Sequence, residues 1–175
     1  MIEVQIRQGE SGDALCISAL GMQVFMATYA TQGIRASLVH EMNHSLSVDA
    51  VRALLSRRDT TFFLAEKAGH LLGFAQLTAD PPPPAGIEGR AVELNRLYVL
   101  ERFVGHGIGK QLLARAEREA ARKGALVMWL TAWSGNARAQ QFYLREGYKG
   151  MGTTQFTFGD ESYENQVFLK NLPLP

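Results

Sequence analysis

Residues 92–123 read VELNRLYVLERFVGHGIGKQLLARAEREAARK, and the succession of residue types in this stretch decides the fold. Val92 to Leu100 is rich in β-branched and aromatic residues, as a strand requires. A short charged link follows, then glycines at alternate positions, Gly105, Gly107 and Gly109. Beyond them Ile108, Leu112, Leu113, Ala116 and Ala120 share one side of a helical repeat, with Arg115, Arg118, Arg122 and Lys123 mostly off it. Strand, glycine-rich turn and helix N-terminus together suit an anion. Glycines let the backbone approach closely and adopt dihedrals closed to other residues, while first-turn N–H groups and the helix dipole face the bound charge. The stretch reads as the phosphate-holding element of a nucleotide-like cofactor site. It is neither of two common kinds. Counted from Gly105, G-x-G-x-x-G puts Lys110 in its last position; counted back from Gly109-Lys110, a P-loop would begin at Val104 and end at Gln111.

The strand has an uneven phase. Val92 and Leu94 lie on one side of a two-residue alternation, Leu97 and Val99 on the other. An inserted residue, a β-bulge near Asn95 to Leu97, would produce this, and so would burial on both faces. A bulge would splay this strand from the next one, at Leu126 to Leu130, and expose backbone groups with which an amide-bearing ligand arm could pair.

Composition narrows the class. The chain has 175 residues, 46% hydrophobic and 20% charged, which fits one globular domain over 1–175. Its 18 Lys and Arg against 17 Asp and Glu give a net charge of +1, no basis for nucleic-acid affinity. A lone Cys16 permits no internal disulfide and suits a reducing compartment. No apolar run is long enough for a membrane span, and the N-terminus lacks a basic-then-apolar leader. A cytoplasmic enzyme or binding domain is expected, without membrane or nucleic-acid partner. The oligomeric state is open, a homodimer included.

The remaining pattern is mixed α/β. Ile2, Val4 and Ile6 alternate with polar residues as a half-buried strand, and Ser11-Gly12-Asp13 caps a helix from Ala14 to Tyr29 on which Leu15, Ala19, Met22 and Met26 repeat. Residues 33–58 read as two short helical pieces, the second capped by Ser47 or Asp49. Thr61–Ala65 and Leu71–Thr78 form a hairpin about Gly69, and Pro81 to Pro84 an extended linker. Gly124 stops the central helix, the apolar run Leu126–Leu130 suits a strand covered on both faces, and Ser134-Gly135-Asn136 caps a helix ending at Gly147. Strands at 152–158 and 163–169 are joined through Gly159-Asp160-Glu161-Ser162. The sum is a mixed sheet with one βαβ unit at its heart.

Two stretches, VELNRLYVLERFVGHGIGKQLLARAEREA and NARAQQFYLREGY, resemble the GNAT superfamily of N-acetyltransferases, and the layout is similar over essentially the whole chain. The resemblance implies the acyl-CoA N-acyltransferase fold with a splayed central strand pair, acetyl-CoA as cosubstrate and no metal. The loop Val104-Gly105-His106-Gly107-Ile108-Gly109, with Lys110 after it, resembles the family's pyrophosphate loop, although the family opens that loop with Arg or Gln where this chain has Val104. The departure matters little where backbone amides make the contact. By the same resemblance Leu97, Tyr98 and Val99 offer main-chain groups to the pantetheine arm and the oxyanion, and Asn136 and Tyr143 sit beside the thioester. The FFLAEKAGHLLGFAQL hairpin, Trp129 and Trp133, and TTQFTFGDES resemble PaiA-type spermidine/spermine acetyltransferases within the superfamily.

Aminolysis of a thioester needs a neutral amine, a donor to the oxyanion and a proton for the leaving sulfur. Glu93 is similar to the family's general base, against the plain reading of a surface strand residue; Tyr143, two helical turns after Asn136, is similar to its general acid, against that of a core tyrosine. Glu88, Glu93, Asp160, Glu161 and Glu164 would favour a cationic acceptor such as a polyamine, with N-terminal or ribosomal peptides the alternative. A coenzyme A-binding sensor without turnover would need neither Glu93 nor Tyr143. One motif competes: His40-Glu41-Met42-Asn43-His44 reads H-E-x-x-H, the zinc-peptidase signature, but Ser47 breaks the extended form and no third ligand is evident downstream.

Overall fold

The computed structural model describes residues 2–79, 81–82, 89–159 and 161–173. Pro83, Pro84, Glu88 and Asp160 lie outside the described residues. In chain order the elements are β1 (Gln5–Gln8), α1 (Ala14–Tyr29), α2 (Ala36–Leu46), α3 (Val48–Leu55), β2 (Thr60–Lys67), β3 (His70–Ala79), β4 (Ala91–Val99), α4 (Ile108–Arg122), β5 (Val127–Trp133), α5 (Ala137–Arg145), β6 (Lys149–Phe158) and β7 (Glu161–Asn171). The strands form one mixed seven-stranded sheet in the order β1-β2-β3-β4-β5-β7-β6. β4 and β5 are parallel, joined by α4 as the βαβ unit requires, whereas β5–β7 and β6–β7 are antiparallel.

Local chemistry sets the element ends. A capping box between Glu10 and Asp13 leads into α1, and the Ser47 hydroxyl accepts from Ala50 N to start α3. Gly124 and Gly147, with φ of 82° and 89°, end α4 and α5 in a left-handed conformation that a Cβ would oppose. The last hairpin is tighter than expected. Glu161 and Ser162 belong to β7, opposite Phe158 and Thr157, because the pairing continues almost to Gly159.

The buried side of α1 differs from the expected one. Ala14, Ile17, Leu20 and Phe25 are buried, whereas Leu15 is 66% exposed. Ala19 is exposed too, and Met22 and Met26 are only half-buried. Nearly every residue of this helix is apolar or small, so helical periodicity alone does not select a face.

The chain divides into two compact units, residues 1–76 with 96–115, and residues 77–95 with 116–175. In the first, Ile17, Leu20, Val51, Phe62, Leu64 and Phe74 form a core on which Tyr98 and Leu100 pack. In the second, Ala91, Val127 and Trp129 cluster with Leu169, while the Tyr143 ring meets those of Tyr148 and Phe168 at centroid distances of 5.7 and 6.0 Å. Val127, Met128, Trp129 and Leu130 are all buried, as a doubly covered strand should be, but Leu126 is 44% exposed and precedes the strand.

Candidate active site

The first unit carries the glycine loop. Gly105 and Gly107 have φ of 82° and 84°, dihedrals that cost an L-residue strain and glycine little. A Cβ built on Gly105 would meet nothing within 4 Å, so the demand there is conformational and the space beside the backbone is open. Ile2 N donates to His106 O at 3.0 Å, and Gln111 Nε2 donates to Ile2 O at 3.1 Å. The C=O and N–H of one trans peptide point in opposite directions, so the tie to Ile2 turns the Gly107 N–H away from the N-terminal segment. Gly107 O accepts from Gln111 N at 3.1 Å, which makes Gly107 the residue that opens α4. At a helix N-terminus the first-turn N–H groups, here those of Ile108 and Gly109, precede the i→i−4 ladder and face outward along the axis. Ile108 is fully buried and anchors the turn, whereas His106 is exposed, its Nδ1 3.1 Å from Val104 O. A run of main-chain donors at a helix N-terminus with open space at Gly105 fits a diphosphate. No side chain at position 104 is needed for that.

The same unit contains the upper part of β4 with Leu97, Tyr98 and Val99, all half-buried. Facing pairs on β3 and β4 step in twos: Leu72 O accepts from Leu100 N, the Phe74 and Tyr98 rings lie 5.4 Å apart, and Gln76 Oε1 accepts from Arg96 Nη1 at 2.5 Å. The second unit continues the series with Thr78 donating to Asn95 Oδ1 at 2.7 Å, where an unbroken ladder would present Leu94. Consecutive residues Asn95 and Arg96 thus meet one face of β3. One extra residue in β4 explains it, and the phase change in the sequence reflects this bulge. A Cβ on Gly73 would lie 2.6 Å from Tyr98 O, so the two backbones approach closely there. Burial pushes the Tyr98 phenol above its ordinary value, with Arg96 opposing.

In the second unit the β4–β5 ladder pairs Ala91 with Val127, Val92 with Met128 and Glu93 with Trp129. Among the described residues it ends there, although β4 runs on to Val99 and β5 to Trp133. Glu93 is half-buried at the last rung. Asn136 is the N-cap of α5, its Oδ1 accepting from Ala139 N at 3.0 Å, which leaves the amide Nδ2 as the donor it can offer elsewhere. Tyr143 is 8% exposed, its ring wedged between Tyr148 and Phe168. Asn136 and Tyr143 bracket one helix as their spacing implied.

The comparisons now bear on this arrangement. The model of the Acetyltransferase (GNAT) family matches residues 30–148, a span that includes the glycine loop, Glu93, Asn136 and Tyr143. The chain belongs to this family. An uncharacterised N-acetyltransferase of Mycobacterium tuberculosis is 32% identical over 71% of this acetyltransferase and 70% of its own length. Another, from Lactobacillus delbrueckii subsp. lactis, is 23% identical over 98% and 99%. The fold is that of the PaiA N-acetyltransferase of Thermoplasma acidophilum, solved with coenzyme A, at a TM-score of 0.80 and 23% identity over 97% of this chain and 99% of that one. The family makes this protein an acetyl-CoA-dependent N-acetyltransferase.

The H-E-x-x-H stretch therefore lies in an acetyltransferase, on α2, with His40 and His44 both exposed. Among the described residues no three His, Cys, Asp or Glu side chains converge as a metal site would. Of the carboxylates expected around the acceptor, Glu161 accepts from Tyr163 Oη at 2.8 Å and Glu164 from Ser134 Oγ at 3.1 Å. Sequence reasoning placed Ile2 in a first strand that begins only at Gln5, and passed over Gly73, Gln76 and Arg96. Only Gly73 carried a signal, a lone glycine inside a strand pattern.

Proposed function

We propose that the chain moves the acetyl group of acetyl-CoA onto a small primary amine by direct attack on the thioester. What supports this most is the loop at 105–110, whose positive-φ glycines and helix-opening amides suit a diphosphate, in a chain of the acetyltransferase family. In this reading the main-chain amides of Gly105, His106, Gly107, Ile108, Gly109 and Lys110 hold the diphosphate, beginning at Val104, and those of Leu97, Tyr98 and Val99 serve the pantetheine arm and the oxyanion. Asn136 offers its Nδ2 donor to the same arm. Bound acetyl-CoA supplies the activated acyl group. Glu93 takes the proton that the attacking amine must lose, directly or through water, and the Tyr143 hydroxyl gives a proton to the departing sulfur. Residues 1–175 act together as one catalytic domain, in the cytoplasm.

For the acceptor, a polyamine is the first candidate, supported by Glu93 and by Glu161 and Glu164 on β7. Peptide N-termini are the second. An acceptor screen that follows thiol release from acetyl-CoA, across polyamines, small functionalised amines and peptides, tests the reading. Saturable turnover with an amine is expected. Absence of acetyl-CoA binding by calorimetry at millimolar concentration would defeat it.

A further inference from the structure

The glycine loop does not stand alone, because the N-terminal segment is fastened to it. β1 begins at Gln5, paired with Glu66, so Ile2 lies three residues ahead of the sheet. Both main-chain polar groups of Ile2 nonetheless have partners. Its N–H donates to His106 O at 3.0 Å, and its carbonyl accepts from Gln111 Nε2 at 3.1 Å. The same Nε2 lies 3.4 Å from Gly107 O, so the two hydrogens of one carboxamide serve two backbone segments. Gln111 is half-buried in the opening turn of α4 and stands 109 residues from Ile2 in the chain. Ordering so long a side chain costs rotamer entropy, and a carboxamide held at two backbone carbonyls is a specific restraint on both.

We infer that Gln111 and Ile2 are positioning residues of the cofactor site: Gln111 holds Ile2, and Ile2 holds the His106 carbonyl, so that the N–H of the same peptide unit, that of Gly107, stays turned towards the diphosphate. The inference rests on the acetyl-transfer reading above and adds to its cofactor site two residues outside the glycine loop. Glycine makes the restraint necessary. Gly105 and Gly107 take φ of 82° and 84° at little cost, but the same freedom lets the loop leave that geometry as easily. A flip of the His106–Gly107 peptide plane would aim a carbonyl, in place of an N–H, at the anion. The bond from Ile2 N opposes that flip, since the flipped carbonyl would lose its donor. Neither Gln111 nor Ile2 has to touch the ligand. Their effect reaches it through the loop's equilibrium, and such coupling is reciprocal: the factor by which the tether strengthens binding is the factor by which the bound ligand stabilises the tether.

The test uses the whole chain and coenzyme A itself. In the wild-type protein, exchange of the Ile2 amide hydrogen with solvent, followed by NMR, should slow about fivefold when coenzyme A saturates the site, the size expected of one hydrogen bond. Gln111→Met keeps the length of the side chain and removes both donors. It should raise the Kd for coenzyme A and the KM for acetyl-CoA by about the same factor, with kcat at saturating acetyl-CoA held within about twofold. A merely structural glutamine would lower the melting temperature of the variant without that split between KM and kcat, and without any response of the wild-type Ile2 amide to the ligand. Should Gln111→Met not fold, the wild-type exchange decides alone. Ile2 exchange indifferent to saturating coenzyme A, or wild-type affinity in Gln111→Met, overturns the inference and spares the acetyl-transfer reading. Failure of the wild-type chain to bind coenzyme A removes that reading itself.

Discussion

In the proposed reading, the glycine loop at 105–110 and the sheet face at Glu93 meet two different demands by opposite means. The loop presents main-chain amides, and its requirements are backbone ones: positive φ at Gly105 and Gly107, a buried Ile108 as anchor, and a tether from Ile2 to His106 O. Its side chains are incidental, His106 being exposed and Val104 standing where the family has Arg or Gln. The sheet face is the reverse. There regular backbone sets the Glu93 carboxylate at the last rung of the β4–β5 ladder, and only its functional group can take a proton. Main-chain sites are thus sensitive to conformation and side-chain sites to chemistry at constant shape.

The largest effect that would sharpen this contrast belongs to Tyr143→Phe. The ring still packs against Tyr148 and Phe168, and only the hydroxyl is lost. Turnover should fall by roughly 10² to 10³, as for loss of a general acid, with acetyl-CoA affinity intact; steady-state kinetics with calorimetry decides, and unchanged turnover ends the acid role. Next comes Gly105→Ala. No neighbour would touch the added methyl, so only the left-handed φ is penalised, by about 1–2 kcal/mol, and acetyl-CoA should bind roughly tenfold more weakly. Wild-type affinity in that variant would break the contrast from the loop side. Glu93→Gln, equal in shape, should lower activity near neutral pH and restore it at higher pH, where the amine is already neutral. A pH–rate profile that keeps its wild-type form points to another base.

Two smaller effects bound the comparison. His106→Ala removes a side chain the loop does not need, and acetyl-CoA affinity by calorimetry should change less than about twofold, the surface norm. Arg7 serves as a control in the first unit, donating to both Asp13 and Glu66 at 2.7 Å. The Arg7 hydrogen bond holds the Asp13 carboxyl below its ordinary value of 3.8, against burial, which raises it. A lowered carboxyl contributes stability above its unfolded value, and that contribution disappears as pH falls through the folded one. Thermal unfolding from pH 7 down to pH 2 should therefore show wild type and Arg7→Met converging in acid, by at most about 1 kcal/mol for so exposed a pair. A constant gap across that range would exclude the linkage.

The contrast also explains what could be read in advance. The βαβ unit, the buried face of α4 and the helix-opening glycines were legible because each leaves a local pattern: Ile108, Leu112, Leu113, Ala116 and Ala120 are all buried as their spacing requires. The bulge was half legible, since Leu94 and Leu97 betray a slip but only Gln76–Arg96 and Thr78–Asn95 place it. The face of α1 was not legible, because an apolar helix has no polar side to contradict a wrong choice. Ile2 and Gln111 could not be paired at all. They are far apart in the chain, and only the folded backbone brings the Gln111 amide to the Ile2 carbonyl.

The claim on which the rest depends is that main-chain donors at the head of α4 hold the diphosphate of acetyl-CoA. Backbone amide resonances followed by NMR during titration with coenzyme A test it directly. The account predicts saturable shifts concentrated at residues 105–110, reproduced in His106→Ala and weakened in Gly105→Ala. Saturable binding that leaves those amides unmoved would contradict it.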